Sequence, residues 1–185
     1  MGPFDCAPLT LAACQAVLRR LTADDLARPS PCAEYTVGEV GQHVVRSMVL
    51  LASVADEQLG SPAAGLPAGP AADLLAGQVT ATAEAALAAW RRRGLGGSVA
   101  VGRSTLPARA AVDIIPLELL VHGWDMARAT GSEIDIPPQV AGYVLGRARE
   151  LVTEDKRGRS FAAEVPVGPQ ATVLERLIAF TGRVP

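Results

Sequence analysis

The chain contains no asparagine and a single lysine, Lys156, against sixteen arginines. That bias follows codon composition: it points to a GC-rich genome and says nothing about chemistry. Basic residues are not in excess, since Lys and Arg total 17 against 19 Asp and Glu, for a net charge of −2. The basic face that a nucleic-acid binder lays along phosphates is therefore not expected. No apolar run approaches the ~20 residues needed to span a bilayer. The N-terminus also lacks a charged stretch followed by an apolar one, so the cytoplasm is the expected compartment. Cysteines number three, Cys6, Cys14 and Cys32. An odd count without C-x-x-C spacing fits reduced thiols and offers no cysteine zinc site. Cys32, between Pro31 and Ala33, reads as a small buried packing residue.

What remains is abundant apolar sequence. With 49% hydrophobic residues in 185, the chain can build a substantial core and is expected to form one domain, residues 154–185 being a tail packed on it. Leu11, Cys14, Val17, Leu18 and Leu21 recur at three- and four-residue steps and predict a helix from about Thr10 to Leu21. Thr36-Val-Gly-Glu39 has capping-box spacing and opens a second helix, to about Leu59, with Val37, Val40, Val44, Met48 and Leu51 inward. Gly60 to Pro70 reads as a loop, and Ala71 to Arg93 as a third helix closed by three arginines before Gly94. Short alternating pieces between Gly96 and Pro107 suggest a hairpin or an extended crossover. A fourth helix runs from about Ala108 to Thr130, with Gly131 as its cap. Pro137 and Pro138 open a fifth, to about Thr153. Phe161 to Pro169 looks extended, and Val173 to Phe180 closes the chain. Four long amphipathic helices without a repeat argue for a mostly all-α helical bundle.

The two histidines are the most informative positions. His122 follows Glu118 by four residues, which on a helix stacks the two side chains about 5–6 Å apart at Cβ, within reach of one ion. Glu118 lies among Ile114, Ile115, Leu117, Leu119, Leu120 and Val121, where an ionised carboxylate is costly unless paired. The nearest basic residues in sequence, Arg109 and Arg128, are distant. A cation is the economical partner. His43 borders the inward face of the second helix, and if the two helices pack side by side, His43, Glu118 and His122 form a two-nitrogen, one-oxygen metal site with a position left open. Asp125 falls on the same face of the fourth helix. It is expected either to orient an imidazole N–H or take a thiol proton, or else to pair with Arg128 or solvent. Trp124 is expected in the core, and Tyr35 is expected to pack rather than to line a pocket.

Three segments together carry a family resemblance: Ser30-Pro-Cys32-Ala-Glu-Tyr35-Thr-Val-Gly-Glu-Val-Gly-Gln-His43, Leu120-Val-His122-Gly-Trp124-Asp125-Met-Ala-Arg128-Ala-Thr-Gly131, and Ala179-Phe-Thr-Gly182-Arg183-Val-Pro185. The chain resembles the metal-binding domain of mycothiol-dependent maleylpyruvate isomerases, in the DinB-like superfamily. The resemblance implies a DinB-like four-helix bundle and a divalent metal, zinc foremost and nickel second, on His43, Glu118 and His122. It also implies mycothiol or another low-molecular-weight thiol as cosubstrate. Isomerase members carry a further C-terminal domain, which directs the expectation towards a metal-dependent thiol S-transferase or a related isomerase, with Asp125 as its catalytic residue. The rival readings are a non-enzymatic binder of metal or a small molecule, and a structural module. The expected partners are small molecules, with neither nucleic acid nor membrane, and self-association into a homodimer is expected to be weakly specified.

Overall fold

The computed structural model of the protein describes residues 1–32, 35–57, 72–102, 104–158 and 160–185. Helices dominate: α1 (Pro3–Leu18), α2 (Val37–Glu57), α3 (Ala72–Arg93), α4 (Ala108–Ala129), α5 (Pro138–Leu151) and α6 (Val173–Phe180), with a hairpin of β1 (Ser98–Val101) and β2 (Ser104–Pro107) between α3 and α4. α1 packs on α3 and α4, and α2 packs on α3 and α4, so the four close a bundle in the spatial order α1, α3, α2, α4. α5 covers α4 and α1, and α6 lies on α5. None of the helices among the described residues is long and apolar enough to cross a membrane.

The periodic apolar positions form the interior as expected. Val37, Val40, Val44, Met48, Leu51, Ile115, Leu119 and Leu120 are all buried, together with Trp90. The capping box holds: Glu39 N donates to Thr36 Oγ1 and Thr36 N donates to the Glu39 carboxylate. α1 differs from the expectation, starting at Pro3 and stopping at Leu18. Pro3 occupies its first turn, where the missing N–H costs nothing, and Gly2 N donates to the Asp5 carboxylate. Leu21 is buried beyond the helix end. α5 likewise ends at Leu151, before Thr153. The expected Gly60–Pro70 loop and the end of α2 at Leu59 lie outside the described residues.

Two close approaches shape the bundle around the later site. At Gly41 a Cβ would fall 2.4 Å from Leu75 Cδ2, so the bare backbone lets α2 and α3 close. At Gly123 it would meet Ile134 Cδ1 at 2.9 Å and Cys14 Cβ at 3.4 Å, where α4 passes α1. The C-terminus is set by another glycine. Gly182 has φ +87°, Gly182 N donates to Ala179 O and Arg183 N to Ile178 O, a Schellman closure that turns residue 183 out of the α6 axis. Gly182 also packs against Ala162, and Arg157 clamps the same turn by donating to the carbonyls of Ala162 and Phe180.

Candidate metal centre

α2 supplies His43 and, one turn on, Ser47; α4 supplies Glu118, His122 and Asp125; the turn before α2 supplies Cys32 and Tyr35; the tail supplies Arg183. His43 Nε2 lies 3.0 Å from Glu118 Oε2, and His122 Nε2 lies 3.7 Å from the same oxygen. The two imidazole rings meet edge to face with centroids 4.8 Å apart. Although two ring nitrogens face it, Glu118 Oε2 is buried and has no hydrogen-bond partner among the described residues. Donor atoms of His43, Glu118 and His122 all lie within 4.8 Å of one another. An orphaned carboxylate oxygen between two imidazole nitrogens is the arrangement a shared cation would satisfy, so the donor set fits a metal ion.

Behind His122 the polar chain continues inward. Asp125 Oδ2 is 2.9 Å from His122 Nδ1. Arg183 donates to both Asp125 oxygens, Nε to Oδ1 at 2.9 Å and Nη2 to Oδ2 at 2.8 Å. Asp125 has no exposed surface and Arg183 is 8% exposed. The alternative pairing of Asp125 with Arg128 does not occur: Arg128 is exposed and the carboxylate is filled by His122 and Arg183. Asp125 is thus bonded to the imidazole on the side away from Glu118 and is not among the residues that line the cavity.

The charges answer one another. Burial pushes the Glu118 carboxyl up, but the close His43 ring, the charges of His122 and His43 and the Ser47 hydroxyl outweigh it and hold the group at about 2. Burial draws His122 down, yet the bond to Asp125, the contact with Cys32 and the charges of Glu118 and Asp125 raise it to about 10. Burial likewise opposes the charge on Asp125, and His122 and Arg183 together keep it below the ordinary carboxylate range. In the metal-free protein the neighbours thus take a proton on His122 in place of a cation.

Glu118 and the two histidines lie on the floor of a cavity of about 660 Å³. One wall is apolar, built from Ile114, Leu117, Val121, Leu151 and Phe161. Two expectations need correction here. Tyr35 is 41% exposed, lines the cavity and has its ring centroid 6.1 Å from that of His43, because the turn before α2, tied by Ser30 N to Tyr35 O, holds it outside the core. Cys32 is half-buried, not buried; it lines the cavity and its sulfur groups with His122 and Asp125. Trp124 packs partly buried against the core, as expected. Arg183 and Ser47 carry parts that sequence reasoning had not assigned. Ser47 could have been found by its four-residue step from His43. Arg183 stood in the quoted ending without a role.

The N-terminal part of the chain decides its kinship: residues 9–127 match the model of the mycothiol maleylpyruvate isomerase N-terminal domain. The chain belongs to that family. The match contains all three candidate ligands and Asp125, and ends before the tail that carries Arg183. Two proteins of Mycobacterium tuberculosis strains, both described as uncharacterized, are each 31% identical to this family member over 172 residues, covering 91% of it and 90% of their own length. No solved structure matches the chain.

Proposed function

We propose that this protein is a metal-dependent thiol S-transferase that uses mycothiol or another low-molecular-weight thiol, and that the whole chain works as one domain with residues 154–185 packed on the bundle. The observation carrying this reading is Glu118 Oε2, a buried acceptor without a hydrogen bond among the described residues, facing the Nε2 atoms of His43 and His122 at the floor of the cavity. Two imidazoles and one carboxylate suit zinc, with nickel second, and leave a position open. A divalent ion bound there supplies Lewis acidity that lowers the pKa of an incoming thiol towards neutrality.

The protein's own residues do the rest. Asp125 accepts the Nδ1–H of His122 and, once an ion displaces the second proton, would leave the Nε2 lone pair to that ion. Arg183 holds Asp125 in that orientation, which makes both positioning residues. The apolar wall gives the electrophile a seat, and Tyr35 lines the same cavity. In the transfer, a sulfur lone pair forms the new carbon–sulfur bond, the leaving group departs with its electron pair, and the thiol proton passes to solvent.

The test combines native mass spectrometry, with and without thiol, and turnover of mycothiol or a surrogate with a halobimane. One metal per chain and a faster reaction with holo than with apo protein are expected, the advantage being largest below the free thiol's pKa and shrinking above it. Equal rates across several thiols and electrophiles would instead assign a non-catalytic binder of metal and thiol. The same spectra report the oligomeric state.

A further inference from the structure

Orientation alone does not account for Arg183. A neutral donor could satisfy the second oxygen of Asp125, whereas a guanidinium buried to 8% exposure is costly to desolvate. What it adds is charge. Glu118 and Asp125 contribute two formal negatives, Arg183 one positive and the neutral imidazoles none, so these residues sum to −1. A divalent ion brings the centre to +1, and a monoanionic ligand then neutralises it. Without Arg183 the loaded centre would already be neutral, and the same anion would leave a net negative charge beside the buried Asp125 carboxylate. Lys156, the other cation on the cavity wall among the described residues, is half-buried and donates to the Leu151 carbonyl. Its charge lies outside the hydrogen-bonded chain of His122, Asp125 and Arg183.

We propose that Arg183 sets the charge of the centre and thereby selects an anionic soft donor, a thiolate, over neutral ligands. The inference deepens the metal-dependent reading above and rests on it. It also assigns a specificity role to the tail, which lies beyond the segment that defines the family.

The test uses the full chain loaded with cobalt(II), its visible absorption titrated with 2-mercaptoethanol as the anionic probe and imidazole as the neutral one. Arg183→Gln is expected to take up cobalt stoichiometrically and to keep its imidazole affinity within about twofold while thiol affinity falls at least about tenfold. The double variant Asp125→Asn/Arg183→Gln restores the wild-type charge sum and is expected to bind the thiol within about threefold of wild type. Unchanged thiol binding in Arg183→Gln, equal loss of both probes, or a double variant no better than the single one overturns the inference. Should Arg183→Gln lose its helical circular dichroism, Asp125→Asn against the double variant makes the same comparison, with tighter thiol binding expected in the more positive protein and equal binding overturning the inference. A wild-type chain that takes up no cobalt fails the metal reading and this inference together. Normal cobalt uptake with an unaltered Arg183→Gln fails this inference alone.

Discussion

Replacing Asp125 by Ala is the severest single perturbation of the polar chain. The carboxylate has no exposed surface and its three contacts, at 2.9, 2.9 and 2.8 Å, all vanish. Lost contacts are the smaller part of the cost. Arg183 is left with its charge inside the protein and with the Thr181 carbonyl as its remaining hydrogen-bond acceptor among the described residues. Removing one partner of a buried ion pair costs about 3–5 kcal/mol. In a chain of this size each kcal/mol moves the melting temperature by roughly 2–4 °C, so a fall of about 6–20 °C is expected. Asp125→Asn keeps a carbonyl acceptor and should fall less. Asp125→Leu/Arg183→Met, which removes both charges, should recover much of the loss, because an apolar pair carries no unpaid desolvation. The assay is calorimetry in the presence of a chelator, so that metal linkage does not enter. A shift below about 2 °C for Asp125→Ala, well under the range expected for a broken buried pair, would refute the claim that Asp125 and Arg183 hold each other.

Other outcomes follow from the same geometry. His122→Ala should abolish stoichiometric metal in elemental analysis, and full occupancy in that variant would remove His122 from the ligand set. Glu118→Ala should lose metal and turnover together, whereas Asp125→Asn should retain metal while turning over more slowly, as read by metal content beside halobimane kinetics. In metal-free protein, His122 stands at about 10 against 6.5, so its stabilisation is complete below 6.5 and is lost as pH rises through 10. Glu118 stands at about 2 against 4.5, so its stabilisation is present above 4.5 and is lost as pH falls through 2. Melting temperature measured against pH in chelator should therefore be highest between those windows, and the rise produced by added zinc should grow with pH as the competing proton leaves His122. Gly182→Ala forces a side chain onto φ +87° with its Cβ 2.6 Å from that of Ala162. Strain and crowding together should cost about 2–4 kcal/mol by urea denaturation.

The sequence by itself determined the elements and the candidate ligand pair on α4. Helical periodicity depends on the local rise and turn of the backbone, so Val37, Val40, Val44 and Met48 could be placed inward without knowing what they face. Capping is equally local: Thr36 with Glu39, and Gly131 after α4, act within a few residues. Glu118 and His122 share a helix, so their four-residue spacing already fixed their proximity. α1 was misjudged at its start because its first turns, Pro3 to Leu9, carry two prolines and none of the stripe that marks the rest. His43 needed tertiary structure, since only the packing of α2 on α4 brings its ring against Glu118. Tyr35 and Cys32 were assigned to packing because nothing local separates a residue at a cavity rim from one inside the core; the turn before α2 decides it. Arg183 lies furthest beyond sequence reasoning. It meets Asp125 across 58 residues, and it arrives there because Gly182 adopts a left-handed turn, α6 docks on α5 and Ala162 leaves room for the bare glycine backbone. Local propensity sets the conformation of a segment, whereas the environment of a buried charge is set by whichever distant segment the packed core brings beside it.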